Sequence, residues 1–241
     1  MQKTLPKALV HENQTDGRRK KASQPTKRRR MAAEDREELI LREATIYFAE
    51  HGLGAGTIEL AQRIGITQPL LYKYFPTKDA LIERIYERLI PQNWNPGWDL
   101  LLDDDSIPLR ERLLRFYYEY ATSVLTYEHV RLFLFSGLNR NDFNARYYDA
   151  LTKRILNRIA RAMRHEFGDS RGSRSVTKAE LELVQSLHAA IYHVAYRKWV
   201  HGEELKYDMA EMIRLKVDFY LGGAKAAFEM PELKKKSRSR K

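Results

Sequence analysis

Apolar positions settle into a helical rhythm at about residue 34. Ile40, Ala44 and Phe48 recur every four residues, and Gly52 is placed to close that helix in a left-handed cap. A short turn over Leu53 to Gly56 follows. Thr57 is placed to cap a second helix with Leu60, Ala61 and Ile64 facing inward, and Gly65 ends it. Thr67 is placed to cap a third helix, with Pro69 in its first turn, where a missing N–H costs little. That helix runs to about Phe75, and Pro76 stops it. Thr77 caps a fourth helix carrying Leu81, Ile85 and Leu89.

Pro91, Asn93, Asn95, Pro96 and Gly97 then break the pattern, so residues 91–107 are expected to form a connection. Helical stretches resume at 108–127, 128–138 and 142–167. The second of these is apolar almost all round, which predicts burial on every side. Residues 169–176 read as a Gly/Ser/Arg-rich loop. Thr177 and Glu180 have the capping-box spacing and open a helix to about His201, and a last helix covers roughly 208–228. No alternating strand pattern and no repeat is found. The expectation is an all-α chain of about nine helices: an N-terminal three-helix, helix-turn-helix domain joined to a larger helical domain. The expected boundaries are an arm at 1–31, a small domain at 32–90, a larger domain at 91–230 and a tail at 231–241.

Composition narrows the chemistry. The chain of 241 residues is 43% hydrophobic and has no cysteine, so disulfides, thiolate catalysis and cysteine-based metal centres are excluded. No secretory signal and no run long enough to span a bilayer is present, which leads us to expect a cytoplasmic protein without membrane contact. The net charge of +11 is unevenly placed. Residues 1–30 carry +8 and residues 231–241 carry +5, so the body between them is slightly acidic. Basic tails of this kind are usually disordered and attract phosphate backbones.

Two short helices around a glycine-containing turn form a helix-turn-helix. On the third helix Leu71 and Phe75 point to the core, which leaves Gln68, Pro69, Tyr72 and Lys73 on outer faces. That chemistry suits DNA: Gln pairs with an adenine edge, Lys reaches guanine or phosphate, and Tyr donates to phosphate. Lys78 sits in the first turn of the next helix, where a cation is unfavourable unless an anion joins it.

The segment resembles the DNA-binding domain of TetR-type (tetracycline repressor-like) regulators. The matching pieces are FAEHG at the end of the first helix, Thr57, then LAQRIGI, TQPLLYKYF and TKDALI, over about residues 36–85. The resemblance implies DNA contacts from Thr57, Gln68, Pro69, Leu70, Tyr72, Lys73, Tyr74 and Lys78. Tyr72, Tyr74 and Lys78 would hold phosphates, and Gln68, Pro69, Leu70 and Lys73 would face bases. Ile58 and Leu70 are apolar where the family is often polar, which suits thymine methyls. The implied partners are an operator duplex, a second copy of the chain, and a small apolar or aromatic effector whose binding releases DNA.

In the larger domain many aromatics recur at helical spacing. They fit either an effector pocket or an ordinary core. Candidate pocket residues are Tyr117, Tyr120, Phe135, His188, Tyr192 and Tyr196. In TetR-like proteins the last two long helices pair the subunits, which implicates Val184, Ile191, Ile213, Val217, Tyr220 and Leu221. His188 and His193 lie about 140° apart around their helix and do not converge on a metal. Arg154, Arg158 and Arg161 read as a solvated stripe, and Asp103 to Asp105 as a solvated loop. No cofactor motif, nucleophile–base pair or paired carboxylates stand out, so no enzyme is expected. Two alternatives stay open: a regulator whose larger domain only dimerises, and an enzyme or carrier bearing a relic helix-turn-helix.

Overall fold

The computed structural model describes residues 32–89, 94–139, 142–167 and 175–228; both charged termini, at 1–31 and 229–241, lie outside them, as do most of the 169–176 loop and residues 90–93. Every regular element among the described residues is helical. The first four helices are α1 (Ala33–His51), α2 (Thr57–Ile64), α3 (Gln68–Tyr74) and α4 (Lys78–Leu89). They are followed by α5 (Gly97–Asp103), α6 (Leu109–Ser123), α7 (Tyr127–Leu138), α8 (Phe143–Leu151), α9 (Asn157–Phe167), α10 (Lys178–Trp199) and α11 (Met209–Phe228). No described helix is long and apolar enough to cross a membrane.

Turn chemistry sets most of the boundaries. Gly52 and Gly65 adopt the left-handed conformation, with φ of +83° and +75°. Thr77 Oγ1 accepts from the Ala80 amide at 3.0 Å. At the start of α10, Thr177 Oγ1 accepts from the Glu180 amide at 3.2 Å, and Glu180 Oε2 accepts from the Thr177 amide at 2.8 Å. Between α8 and α9 the chain runs on through a π-helical turn, Thr152–Leu156. Its extra residue lets adjacent Ile155 and Leu156 both reach the core.

Three expectations about this region need correction. Residues 91–107 are not all connection, because Gly97–Asp103 forms α5. Trp98 and Leu102, four apart, fill the core beside α6, and Trp98 Nε1 donates to Glu119 at 2.8 Å. The outer side of α5 is acidic and meets the supposed solvated stripe. Arg154 donates to Asp99 at 3.1 Å and Arg158 pairs with Asp103. Asp105 likewise accepts from buried Arg112 at 3.1 Å.

The bundle is knit by α11 lying along α6 and α10, and by α10 against α9. Arg164 on α9 and Glu180 on α10 form a buried bidentate pair at 2.7 and 2.6 Å. Burial alone would raise the Glu180 carboxyl, but the bonds from Arg164 and Thr177 outweigh it and hold it low. The first four helices join the following ones at two places. At one, α7 packs along α1. At the other, Tyr86 of α4 stacks on Phe143 of α8 with ring centroids 4.0 Å apart, and Arg146 grips Glu83 through bonds of 2.7 and 2.9 Å.

The six expected subunit-interface residues divide into two groups. Val184, Ile191, Ile213 and Val217 are buried inside their own chain and have no surface to offer a partner. Tyr220 and Leu221 are half-buried. The free side of α11 is instead marked by Leu215 and by Phe219, which is 87% exposed.

Candidate nucleic-acid interface

The turn between α2 and α3 is fixed by reverse hydrogen bonds. The Ile66 amide donates to the Ala61 carbonyl at 3.0 Å, and the Gly65 amide to that of Gln62 at 3.0 Å. This is the Schellman arrangement, which needs the positive φ of Gly65. Thr67 then caps α3, its hydroxyl accepting from the Leu70 amide at 3.4 Å. Leu71 and Phe75 are buried, and Leu60 and Phe48 join them in the core. The side of α3 away from that core is thereby determined.

On that side Pro69 and Lys73 are exposed, and Gln68, Leu70 and Tyr72 are half-buried. Tyr74 is half-buried too, but packs against the core. Lys78 opens α4 with its ammonium 5.6 Å from the centre of the Phe48 ring. Ile58 projects from the first turn of α2 and is 55% exposed.

Thr57 behaves differently from expectation. It does not cap α2; Gly56 occupies that position and supplies no side chain. The buried Thr57 hydroxyl instead joins the two helices. It accepts from Gln68 Nε2 at 3.0 Å and lies 2.9 Å from the Tyr72 hydroxyl. Three of the residues singled out from the sequence thus form one hydrogen-bonded group.

Charge is sparse here. Residues 31–90 carry seven Lys/Arg against ten Asp/Glu. Arg42, Arg63, Arg84 and Arg88 each face a carboxylate of the same domain. Lys73 and Lys78 have no ion pair among the described residues, which leaves their charge available to a phosphate.

The candidate pocket residues do not all meet. Tyr120, His188 and Tyr192 line a cavity of about 50 Å³ together with Phe133, Tyr147 and Tyr148. Tyr117 is buried beside it, 6.0 Å from His188 between ring centres. Phe135 lies elsewhere, against Gly52 and Arg131. Tyr196 stacks on His193 near the end of α10. Tyr120 bonds to Tyr147 and contacts His188 Nε2 at 3.3 Å. Burial pushes His188 down to about 4 and raises the Tyr120, Tyr147 and Tyr192 hydroxyls. The lining is therefore uncharged at neutral pH. Phe133 and Tyr147 were missed as lining because helical spacing does not separate core aromatics from cavity aromatics.

Residues 40–85 match the family model of bacterial regulatory proteins, tetR family. Solved structures share the fold at low sequence identity. A TetR-like transcriptional regulator from Rhodococcus sp. RHA1 is 18% identical, with a TM-score of 0.58, over 80% of this chain and 100% of that one. The TetR family transcriptional regulator PfmR from Thermus thermophilus is 18% identical, with a TM-score of 0.55, over 76% and 97%. A TetR family transcriptional regulator from Pseudomonas syringae pv. tomato str. DC3000 is 16% identical, with a TM-score of 0.53, over 78% and 96%.

Proposed function

Because the chain is of the TetR type, we propose that it is a sequence-specific DNA-binding regulator, a homodimeric repressor released by a small apolar or aromatic effector in the cytoplasm. The reading domain spans 32–90, and 91–230 carry effector binding and dimerisation. The observation that carries the reading is the surface of α2 and α3. Ile58, Pro69 and Lys73 stand exposed around a base-reading amide, Gln68, that is already held by Thr57. Two-fold pairing would place two copies of α3 in successive major grooves.

Dimerisation is supported by the outer face of α10 and α11. Exposed Phe219 lines a groove of about 550 Å³ with Leu183, Asp218, Tyr220, Gly222 and Gly223, and exposed Leu215 lies four residues before it on α11. An exposed, mostly apolar groove lined by glycines suits close approach of a second helix pair. Effector control is supported by the layout of the aromatic cavity. The cavity is lined from α6, α7, α8 and α10, and α7 and α8 also carry the arginines that hold the reading domain. A ligand that widened the cavity would shift both joints and the population of DNA-competent dimers.

The small size of the cavity favours one alternative, a regulator whose larger domain only dimerises. Drug-sized ligands occupy roughly 300 Å³ or more. A thermal-shift screen against uncharged aromatic compounds separates the two. For the main claim, full-length protein is titrated with its selected duplex and with a scrambled duplex at fixed salt. Discrimination of about 10³-fold or more is expected. Equal binding would favour the enzyme or carrier alternative.

A further inference from the structure

Resting on the DNA-reading proposal above, we propose that Thr57 sets which base Gln68 reads, through a hydrogen-bond relay that a DNA phosphate on Tyr72 locks in one direction. The relay follows from proton counting. Gln68 Nε2 faces Thr57 Oγ1 at 3.0 Å, and Thr57 Oγ1 faces the Tyr72 hydroxyl at 2.9 Å. An amide nitrogen only donates, an amide oxygen only accepts, and each hydroxyl has one proton.

Two self-consistent directions exist. In the outward direction Gln68 donates to Thr57, Thr57 donates to Tyr72, and the Tyr72 proton points away. In the inward direction Tyr72 donates to Thr57, and Thr57 donates to Gln68, whose amide must turn round to offer Oε1. A mixed state, in which Thr57 accepts from both, strands its own proton at a buried site and is costly.

The direction decides the base. In the outward state the amide keeps Oε1 and one N–H for the groove, the pattern that pairs with adenine N6 and N7. In the inward state Oε1 is turned toward Thr57 and both N–H donors are free for the groove, which suits the two acceptors of guanine, N7 and O6. A phosphate oxygen only accepts, so a phosphate bound at Tyr72 takes the Tyr72 proton and selects the outward state. A sequence-independent contact thereby fixes a sequence-dependent one, and bonds in such a chain reinforce one another. Thr57 is a positioning residue here, and Gln68 is the reader.

The test is selection from one random duplex pool by the full-length wild type and by Gln68→Ala, Thr57→Val, Thr57→Ser and Tyr72→Phe. The wild type is expected to take adenine over guanine about tenfold or more at one position per half-site. Gln68→Ala should flatten that position. Thr57→Val and Tyr72→Phe should accept adenine and guanine about equally there and leave other positions unchanged. Thr57→Ser should keep the wild-type preference. If Thr57→Val does not fold, Tyr72→Phe carries the test from a half-buried surface position. Uniformly weaker binding with the adenine preference intact in both variants overturns the relay, as does a motif with no Gln68-dependent adenine. A pool with no enriched motif overturns the DNA-reading proposal and the relay with it.

Discussion

Arg131 of α7 donates from Nε to the Ala49 carbonyl at 2.6 Å, in the last turn of α1. A second nitrogen reaches the Glu50 carbonyl at 3.4 Å, and a third reaches that of Trp199, at the end of α10, at 3.5 Å. The last carbonyls of a helix have no partner within it. One guanidinium thus closes α1 of the reading domain and touches the end of the helix that lines the aromatic cavity. Arg131→Met should leave the Ala49 carbonyl without its partner and cost about 1–3 kcal/mol in urea unfolding. Arg131→Lys should recover part of that loss, because a point charge cannot span three carbonyls. A change below about 0.5 kcal/mol for Met, the range of ordinary surface substitutions, would show that the contact is incidental.

Among the described residues Phe219 is 87% exposed and packs into no core. Phe219→Asp should therefore leave the thermal midpoint of the monomer near that of a Phe219→Ala control while splitting the proposed dimer in sedimentation, because a charge buried in the apolar contact would be unpaired. Val217→Asp would be uninformative, as Val217 lies in the intrachain core and its replacement would unfold the bundle. A Phe219→Asp protein that sediments as the wild-type dimer places the interface elsewhere.

The buried histidines predict acid sensitivity. Burial pushes His129 and His188 down to about 4. In the unfolded chain they titrate near 6.5. Between these values the unfolded state binds more protons, so stability is complete above about pH 6.5 and falls as pH drops toward 4. Each histidine should account for about 2 kcal/mol of the loss between pH 7 and pH 5. His188→Gln should show a correspondingly smaller loss over that interval, whatever its stability at pH 7. Equal losses in variant and wild type would mean that His188 is not held neutral.

The chain before residue 31 supplies ten basic residues, and by sequence it leads into α1. The reading domain itself is acidic by count, and Lys73 and Lys78 are the described cations at its reading surface without an ion pair. Deleting residues 2–30 should weaken specific and non-specific DNA binding together. It should also make the fall of log affinity with log salt shallower, by about 0.9 for each phosphate that the arm neutralises. An unaltered slope would assign the phosphate contacts to the folded surface alone.

The helix boundaries were legible wherever a residue type does one job. Gly65, Thr67, Thr77 and the Thr177–Glu180 pair mark their turns because left-handed backbone and capping leave few substitutes. Thr57 misled because capping and side-chain bridging use the same hydroxyl. Only the approach of Gln68 and Tyr72, eleven and fifteen residues away, shows which it does. The helix α5 was hidden by Pro96 and by the acidic run, yet two signals were present. Trp98 and Leu102 are four apart, and Asp99 and Asp103 repeat the spacing of Arg154 and Arg158. The expected interface residues divide for another reason: Val184, Ile191, Ile213 and Val217 are buried within their own chain, whereas Tyr220 lines the outer groove of α11. A helix apolar on two sides shows that both sides are covered, but sequence does not tell which cover belongs to the same chain.

The most direct test of the account is the set of duplexes that the full-length protein retains from a random pool at fixed salt. An enriched inverted repeat is expected, with half-sites about 10 base pairs apart or a multiple of that spacing. A Gln68→Ala, Lys73→Ala double variant should lose that motif while retaining salt-sensitive binding to any DNA. A retained pool that stays random in sequence would contradict it.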